Sequence, residues 1–214
     1  MLQDYIDITY PFSEEMAIYP GNPLFSMKAH KNIESGDSCN IKQICMGTHT
    51  GTHIDAPNHT IRGGKTLEQI PLEFMNGKAK VLDFTGKKEI SVQDLENKEI
   101  DGCKILLLKT DNSINYSGSH VLAEYTTLDY EAAEFLAEKE IQMIGIDYMT
   151  IERPRGKRIT GKSVHQILLS RGICILEGIN LRETAAGEYK LCCLPLRLLG
   201  ADGAPVRAVL IPEG

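Results

Sequence analysis

Three of the six histidines in this 214-residue chain fall in one short run, His49-Thr50-Gly51-Thr52-His53-Ile54-Asp55-Ala56-Pro57-Asn58-His59. His49, His53, Asp55 and His59 all occupy odd positions, so an extended chain would point them to one face. A straight strand does not bring them to one ion. At about 3.3 Å per residue, His49 and His53 would stand roughly 13 Å apart, and ligand bonds are only about 2 Å long. A helix aligns His49 with His53 but turns Asp55 about 200° away, and Pro57 would break it. Extended backbone with a tight bend meets the requirement, and Gly51 between the histidines can supply the unusual φ. Thr50, Thr52 and Ile54 then face the other way, and the two β-branched hydroxyls can fix the turn. Imidazole and carboxylate donors suit Zn²⁺, Mn²⁺ or Fe²⁺ better than Mg²⁺ or Ca²⁺. From residue types alone this is one ion held by two histidines and an acid.

The elements that must position these residues follow from the apolar pattern. Strands are expected at 5–9, 39–46, 79–84, 104–109, 142–148, 173–176, 191–199 and 207–211. Amphipathic helices are expected at 129–139 and 163–170, the second opening at Ser163 as N-cap and ending at Gly172. The pattern is a mixed α/β domain, rich in strands and poor in helices. No repeat, low-complexity segment or linker divides it, so residues 1–214 read as one domain.

Composition narrows the function classes. Net charge is −6 with no basic patch, which argues against nucleic acid as a partner. The start lacks the basic and apolar regions of a signal peptide, and no apolar stretch reaches the roughly 18 residues of a membrane span. The chain therefore reads as cytoplasmic, without a membrane partner. The six cysteines show no CxxC pair and read mostly as small buried hydrophobes. His30 and His120 read as surface residues, and Asp147 as a strand-end acid that could support the site from behind. The run from Gly156 to Ser163 satisfies the P-loop pattern, but no strand runs straight into its first glycine. It reads as a loop leading into the Ser163 helix, able to hold a substrate carboxylate.

The histidine run also resembles the HxGTHxDxPxH signature of the putative cyclase family, which includes bacterial kynurenine formamidases and isatin hydrolases. The likeness continues in Asp7-Ile-Thr-Tyr-Pro-Phe, Tyr19-Pro-Gly-Asn-Pro23, Gly161-Lys-Ser-Val-His165 and Ile175-Leu-Glu177-Gly-Ile-Asn-Leu181. It implies a β-rich, barrel-like core with outer helices, of the swivelling β/β/α type, and a homo-oligomer, dimer or tetramer. It also implies two Zn²⁺ ions, with Mn²⁺ as the other metal used in the family. His49 and His53 would bind the first ion and His165 the second, with Asp55 and Glu177 bridging both. His59 would be the proton donor and acceptor. Tyr19, where the formamidases carry tryptophan, would face an aromatic amide substrate.

The implied reaction is arylformamidase-like hydrolysis of N-formylkynurenine to kynurenine and formate through a metal-activated hydroxide. Isatin-hydrolase-like opening of a cyclic amide or lactone, in a branch that has glutamine near the position of Glu177, is the alternative within the family. A non-catalytic metal-binding protein is the alternative of another class. Chemistry agrees with the carried-over acid: Glu177 follows the apolar run 173–176, and a carboxylate at the end of a buried strand needs a counter-charge.

Overall fold

The computed structural model describes residues 5–153, 161 and 163–212. In chain order the strands are β1 (Ile6–Asp7), β2 (Ser26–Lys31), β3 (Ile41–Cys45), β4 (His53–Asp55), β5 (Asn76–Asp83), β6 (Glu89–Ile90), β7 (Ile105–Lys109), β8 (Thr127–Leu128), β9 (Met143–Ile146), β10 (Cys174–Glu177), β11 (Gly187–Pro195) and β12 (Gly203–Pro212). The α-helices are α1 (Val92–Glu96), α2 (Asn112–Asn115), α3 (Tyr130–Ala137) and α4 (Val164–Ser170).

Strands β12, β11, β5, β7, β9, β10 and β4 pair in that order, and β4 pairs back onto β12 to close a seven-stranded barrel. The start of β12 takes β4, with Gly203 opposite Asp55, and its far end takes β1, with Leu210 opposite Ile6. β5, β7, β9 and β10 run parallel to one another, while β11 and β4 run antiparallel to their neighbours. The strand-rich α/β domain expected from the apolar pattern, and the barrel-like core that the resemblance implies, are both observed.

Side-chain alternation gives the barrel wall two apolar faces. Ile54, Val81, Leu107, Met143, Leu176, Leu191 and Val206 fill the interior. Leu82, Leu106, Ile144 and Ile175 point outward and are covered by Ala133 and Leu136 of α3 and by Val164 and Leu168 of α4. Strands buried on both faces read as unbroken apolar runs, which makes 104–109 and 173–176 recognisable before folding. Helix α4 opens as expected: Ser163 Oγ accepts from Gln166 N, and Gln166 Oε1 accepts from Ser163 N.

The differences have physical causes. β2 and β3 pair only with each other among the described residues, and most of their side chains are exposed, so β2 has no alternation to betray it. β11 starts and ends four residues before the expected strand, because the apolar run beyond Pro195 leaves the sheet for the surface. Only Cys174 and Cys193 are buried; Cys45 and Cys192 are exposed, and all six are free. Cys192 and Cys193 are neighbours on a strand, so they must face opposite sides. No helix among the described residues is long and apolar enough to cross a membrane.

Asp147 does not support the metal-type cluster. It is fully buried beyond the end of β9 and accepts from Thr110 N (2.8 Å), Thr110 Oγ1 (2.6 Å), Ser113 N (3.2 Å) and Ser113 Oγ (2.7 Å). Ser113 Oγ in turn accepts from Leu181 N, so one carboxylate ties together the segments that follow β7, β9 and β10. Burial pushes its pKa up to about 6 against these four donors, which still leaves it ionised at neutral pH. Asp147→Asn sets an amide N–H against a donor. We expect a loss of roughly 2–3 kcal/mol of stability, measured by urea denaturation at pH 7.5. An unchanged midpoint would contradict this account.

Candidate metal centre

The β4–β10 pair builds the floor of the site. Its register sets Asp55 opposite Ile175, Ile54 opposite Leu176 and His53 opposite Glu177. Ile54 and Leu176 point into the barrel, so His53, Asp55 and Glu177 must point out, and all three are buried there. Helix α4 covers this face and contributes His165 from its first turn.

The expected bend is present. Gly51 has φ of +63°, and the ring centroids of His49 and His53 lie 5.1 Å apart. Thr52 fixes the turn: its Oγ1 donates to the Gly178 carbonyl and accepts from Tyr10 N. Thr50 does not, since its buried Oγ1 has no hydrogen-bond partner among the described residues. Gly178 follows Glu177 with φ of +67°, and a Cβ there would sit 2.5 Å from the Gly51 carbonyl oxygen. The turn carrying two histidines and the strand end carrying Glu177 therefore touch backbone to backbone.

The side chains converge on Asp55. Its Oδ1 is 2.6 Å from His49 Nδ1 and 3.3 Å from His53 Nε2, and its Oδ2 is 3.5 Å from His165 Nε2. Glu177 lies 3.5 Å from His53 Nε2 through Oε2 and 3.2 Å from His165 Nε2 through Oε1, which also accepts from Ile151 N at 2.7 Å. The far nitrogen of each ring is anchored as well. His53 Nδ1 bonds the Gly51 carbonyl (2.8 Å), His49 Nε2 meets Asp202 (3.0 Å) and His165 Nδ1 meets Glu152 (3.1 Å). Each ring thus has one nitrogen turned to an acceptor behind it and the other toward Asp55.

Two groups of donors among the described residues lie close enough to hold a cation: His49, Asp55 and His59, and His53, Asp55 and Glu177. Asp55 belongs to both. Its Oδ2, 3.5 Å from His165 Nε2, is buried without a hydrogen-bond partner among the described residues, a need for polar contact that a divalent ion would satisfy. Burial works against ionising Asp55, yet His165, His49 and His53 outweigh it and hold the carboxyl well below its ordinary range. Burial likewise works against charging His165 and His49, but the carboxylates prevail. Glu177, Asp55 and Glu152 raise His165 well above the ordinary imidazole value, and Asp55 and Asp202 raise His49 to about 9.

A cavity of about 520 Å³ opens over this floor, lined by His49, His53, His165 and Glu177 and also by Tyr19, Tyr130 and Met149. Its size falls within the roughly 300–1,000 Å³ of small-molecule sites. His59 sits at the cavity wall, 31 % exposed, on the short 3₁₀ turn Pro57–His59. The structure therefore brings together His49, His53, Asp55, His59, His165, Glu177 and Tyr19. His30 and His120 are exposed surface residues. Most of the Gly156–Ser163 loop lies outside the described residues, although Gly161 and Ser163 line the cavity.

Sequence reasoning missed Glu152 and Asp202. Their available signal was the requirement that each ligand-type imidazole have an acceptor at its far nitrogen.

A family profile described as putative cyclase matches residues 6–153. A kynurenine formamidase of Bacillus cereus is 35% identical over 209 residues, covering 98% of each chain. One of Geobacillus thermodenitrificans is 35% identical over 214 residues, covering 100% of each. A solved structure described as a predicted metal-dependent hydrolase from Bacillus stearothermophilus superposes with a TM-score of 0.85 at 33% identity, covering 100% of each chain. Isatin hydrolase A from Labrenzia aggregata shares the fold, with a TM-score of 0.83 at 22% identity over 98% of this chain and 94% of its own.

Protons and a cation compete for the same nitrogens. Below about 9 the metal-free His49 holds its extra proton, so cation binding must displace it. Zn²⁺ added to metal-free protein at pH 7 should release protons, and affinity should rise as pH increases toward 9. Calorimetry in two buffers of different ionisation enthalpy measures the release; a value of zero would contradict this electrostatic account.

Proposed function

This chain belongs to the putative cyclase family, and on that premise we propose that it is a metal-dependent amidohydrolase of arylformamidase type. Its proposed reaction converts N-formylkynurenine, or a close aromatic formamide, to the free amine and formate. The observation that carries this reading is Asp55, a fully buried carboxylate with one oxygen lacking a hydrogen bond among the described residues and a place in both donor groups. The relatives named kynurenine formamidase, about 35% identical along nearly the whole chain, support the substrate class.

We assign His49, His53 and Asp55 to one ion and His165 to a second, with Asp55 and Glu177 shared between them. Zn²⁺ suits these donors, and Mn²⁺ fits the same set. Such ions, when bound, lower the pKa of water and polarise a carbonyl oxygen. His59 has the position and the basicity for proton transfer. Burial, together with the neighbouring His49 and His165, holds its pKa below the ordinary 6.5 against the pull of Asp55 and Glu177, so it is a neutral base at pH 7. It takes a proton from the attacking water and returns it to the departing nitrogen. An anilide nitrogen leaves poorly without that proton, so delivery accompanies C–N cleavage. Tyr19, Tyr130 and Met149 supply an aromatic and thioether wall suited to a flat ring.

Metal analysis combined with turnover of N-formylkynurenine, isatin and simple formanilides tests the reading. We expect two ions per chain and the highest kcat/KM on N-formylkynurenine. Preference for isatin would move the chain to cyclic-amide hydrolysis, and metal binding without turnover would leave a metal-binding protein. His59→Ala should retain metal and lose roughly 10²–10⁴-fold in kcat. The acid limb of the wild-type pH–rate profile should fall below pH 6.5 and disappear in this variant. Loss of metal together with activity would make His59 a ligand instead.

We also assign the chain a homo-oligomeric state. Met27, Ile41 and Ile44 are exposed on the β2–β3 hairpin, and Leu194 near the end of β11 and Leu196 just beyond it line one groove with Met27 and Ile44, an apolar surface suited to association. Sedimentation velocity at micromolar concentration should return a dimer or tetramer; a monomer would remove the assignment.

A further inference from the structure

We propose that Glu152 is a positioning residue that sets the tautomer of His165 and thereby decides whether the ion assigned to His165 is held. This rests on the ligand assignment above. Both oxygens of Glu152 are engaged. One lies 3.1 Å from His165 Nδ1, and the other accepts from Val164 N at 2.6 Å. A single carboxylate thus grips the first residue of α4 and the ring borne by the next residue. The ring is thereby turned so that Nε2 faces forward, 3.2 Å from Glu177 Oε1 and 3.5 Å from Asp55 Oδ2.

A neutral imidazole carries one proton, and an ionised carboxylate can only accept. Glu152 therefore keeps that proton on Nδ1 and leaves the Nε2 lone pair for a cation, the arrangement that orients metal-bound histidines generally. The capping box of α4, in which Ser163 Oγ accepts from Gln166 N and Gln166 Oε1 from Ser163 N, leaves only Val164 N of these donors to Glu152. Beyond that one bond to the helix start, what Glu152 adds is the constraint on His165.

The isosteric variant Glu152→Gln separates the two contacts. Its single acceptor oxygen goes to Val164, whose backbone N–H can only donate. The amide NH₂ then faces His165 and can only donate. His165 must answer with the Nδ1 lone pair and carry its proton on Nε2, pointed at Asp55 and Glu177. The helix start is kept, and the ring presents the wrong nitrogen.

The test titrates wild type, Glu152→Gln and Glu152→Ala with Zn²⁺ by calorimetry and records long-range ¹⁵N–¹H spectra of the histidine rings after Zn²⁺ addition, with His165→Ala for assignment. In wild type we expect the His165 proton on Nδ1. In Glu152→Gln we expect an unchanged metal-free circular dichroism spectrum, the proton on Nε2, one ion bound as in wild type and the other roughly 10–100-fold more weakly. Glu152→Ala should weaken the same ion. Wild-type affinity for both ions in Glu152→Gln, equal weakening of both, or a wild-type proton on Nε2 would each overturn the proposal. Should wild type bind a single ion, the two-ion reading falls, while the His165 tautomer in the two proteins still decides the role of Glu152.

Discussion

Two carboxylates buried on adjacent strands, Asp55 and Glu177, set the terms for the rest of this molecule. Their ion-pair partners among the described residues are His49, His53 and His165, with no lysine or arginine among them. Two like charges out of water and close together are costly unless positive charge is supplied at once. Protonated imidazoles or divalent cations can supply it. The first kind of charge is lost as pH rises, above about 9 for His49, and the second is not.

The barrel makes the arrangement possible by alternation alone. Ile54 and Leu176 belong to the interior, and that choice sends His53, Asp55 and Glu177 outward together. Helix α4 and residues 151–152 then pack against this patch beside the cavity. Ile151 N donates to Glu177, and Glu152 meets His165. The apolar barrel and the polar cluster are two faces of one register, so a one-residue slip in β4 would exchange them.

The part of this site that is local in sequence was legible there. His49, His53, Asp55 and Gly51 announce a bent extended ligand segment because their spacing excludes a helix and a straight strand. His165 and Glu177 carry no such local constraint, and only the resemblance to a family drew them in. Glu152 and Asp202 stayed hidden, since an acid that serves a ring from behind has no spacing rule linking it to that ring. In the fold, doubly buried strands such as β7 and β10 were plain from their composition. The exposed β2 and the true limits of β11 were not, because their side chains pack against little that selects them.

The backbone contact between Gly51 and Gly178 has a consequence for how such a protein can diversify. It packs the segments carrying His49, His53 and Glu177 so closely that a side chain at position 178 has no room, and the Thr52 hydroxyl ties them by donating to the Gly178 carbonyl. Other lining residues, Tyr19, Tyr130 and Met149, come from other segments of the chain. On the proposed reading, Tyr19, Tyr130 and Met149 could be exchanged for a differently shaped substrate while the segments carrying His49, His53 and Glu177 are inherited intact.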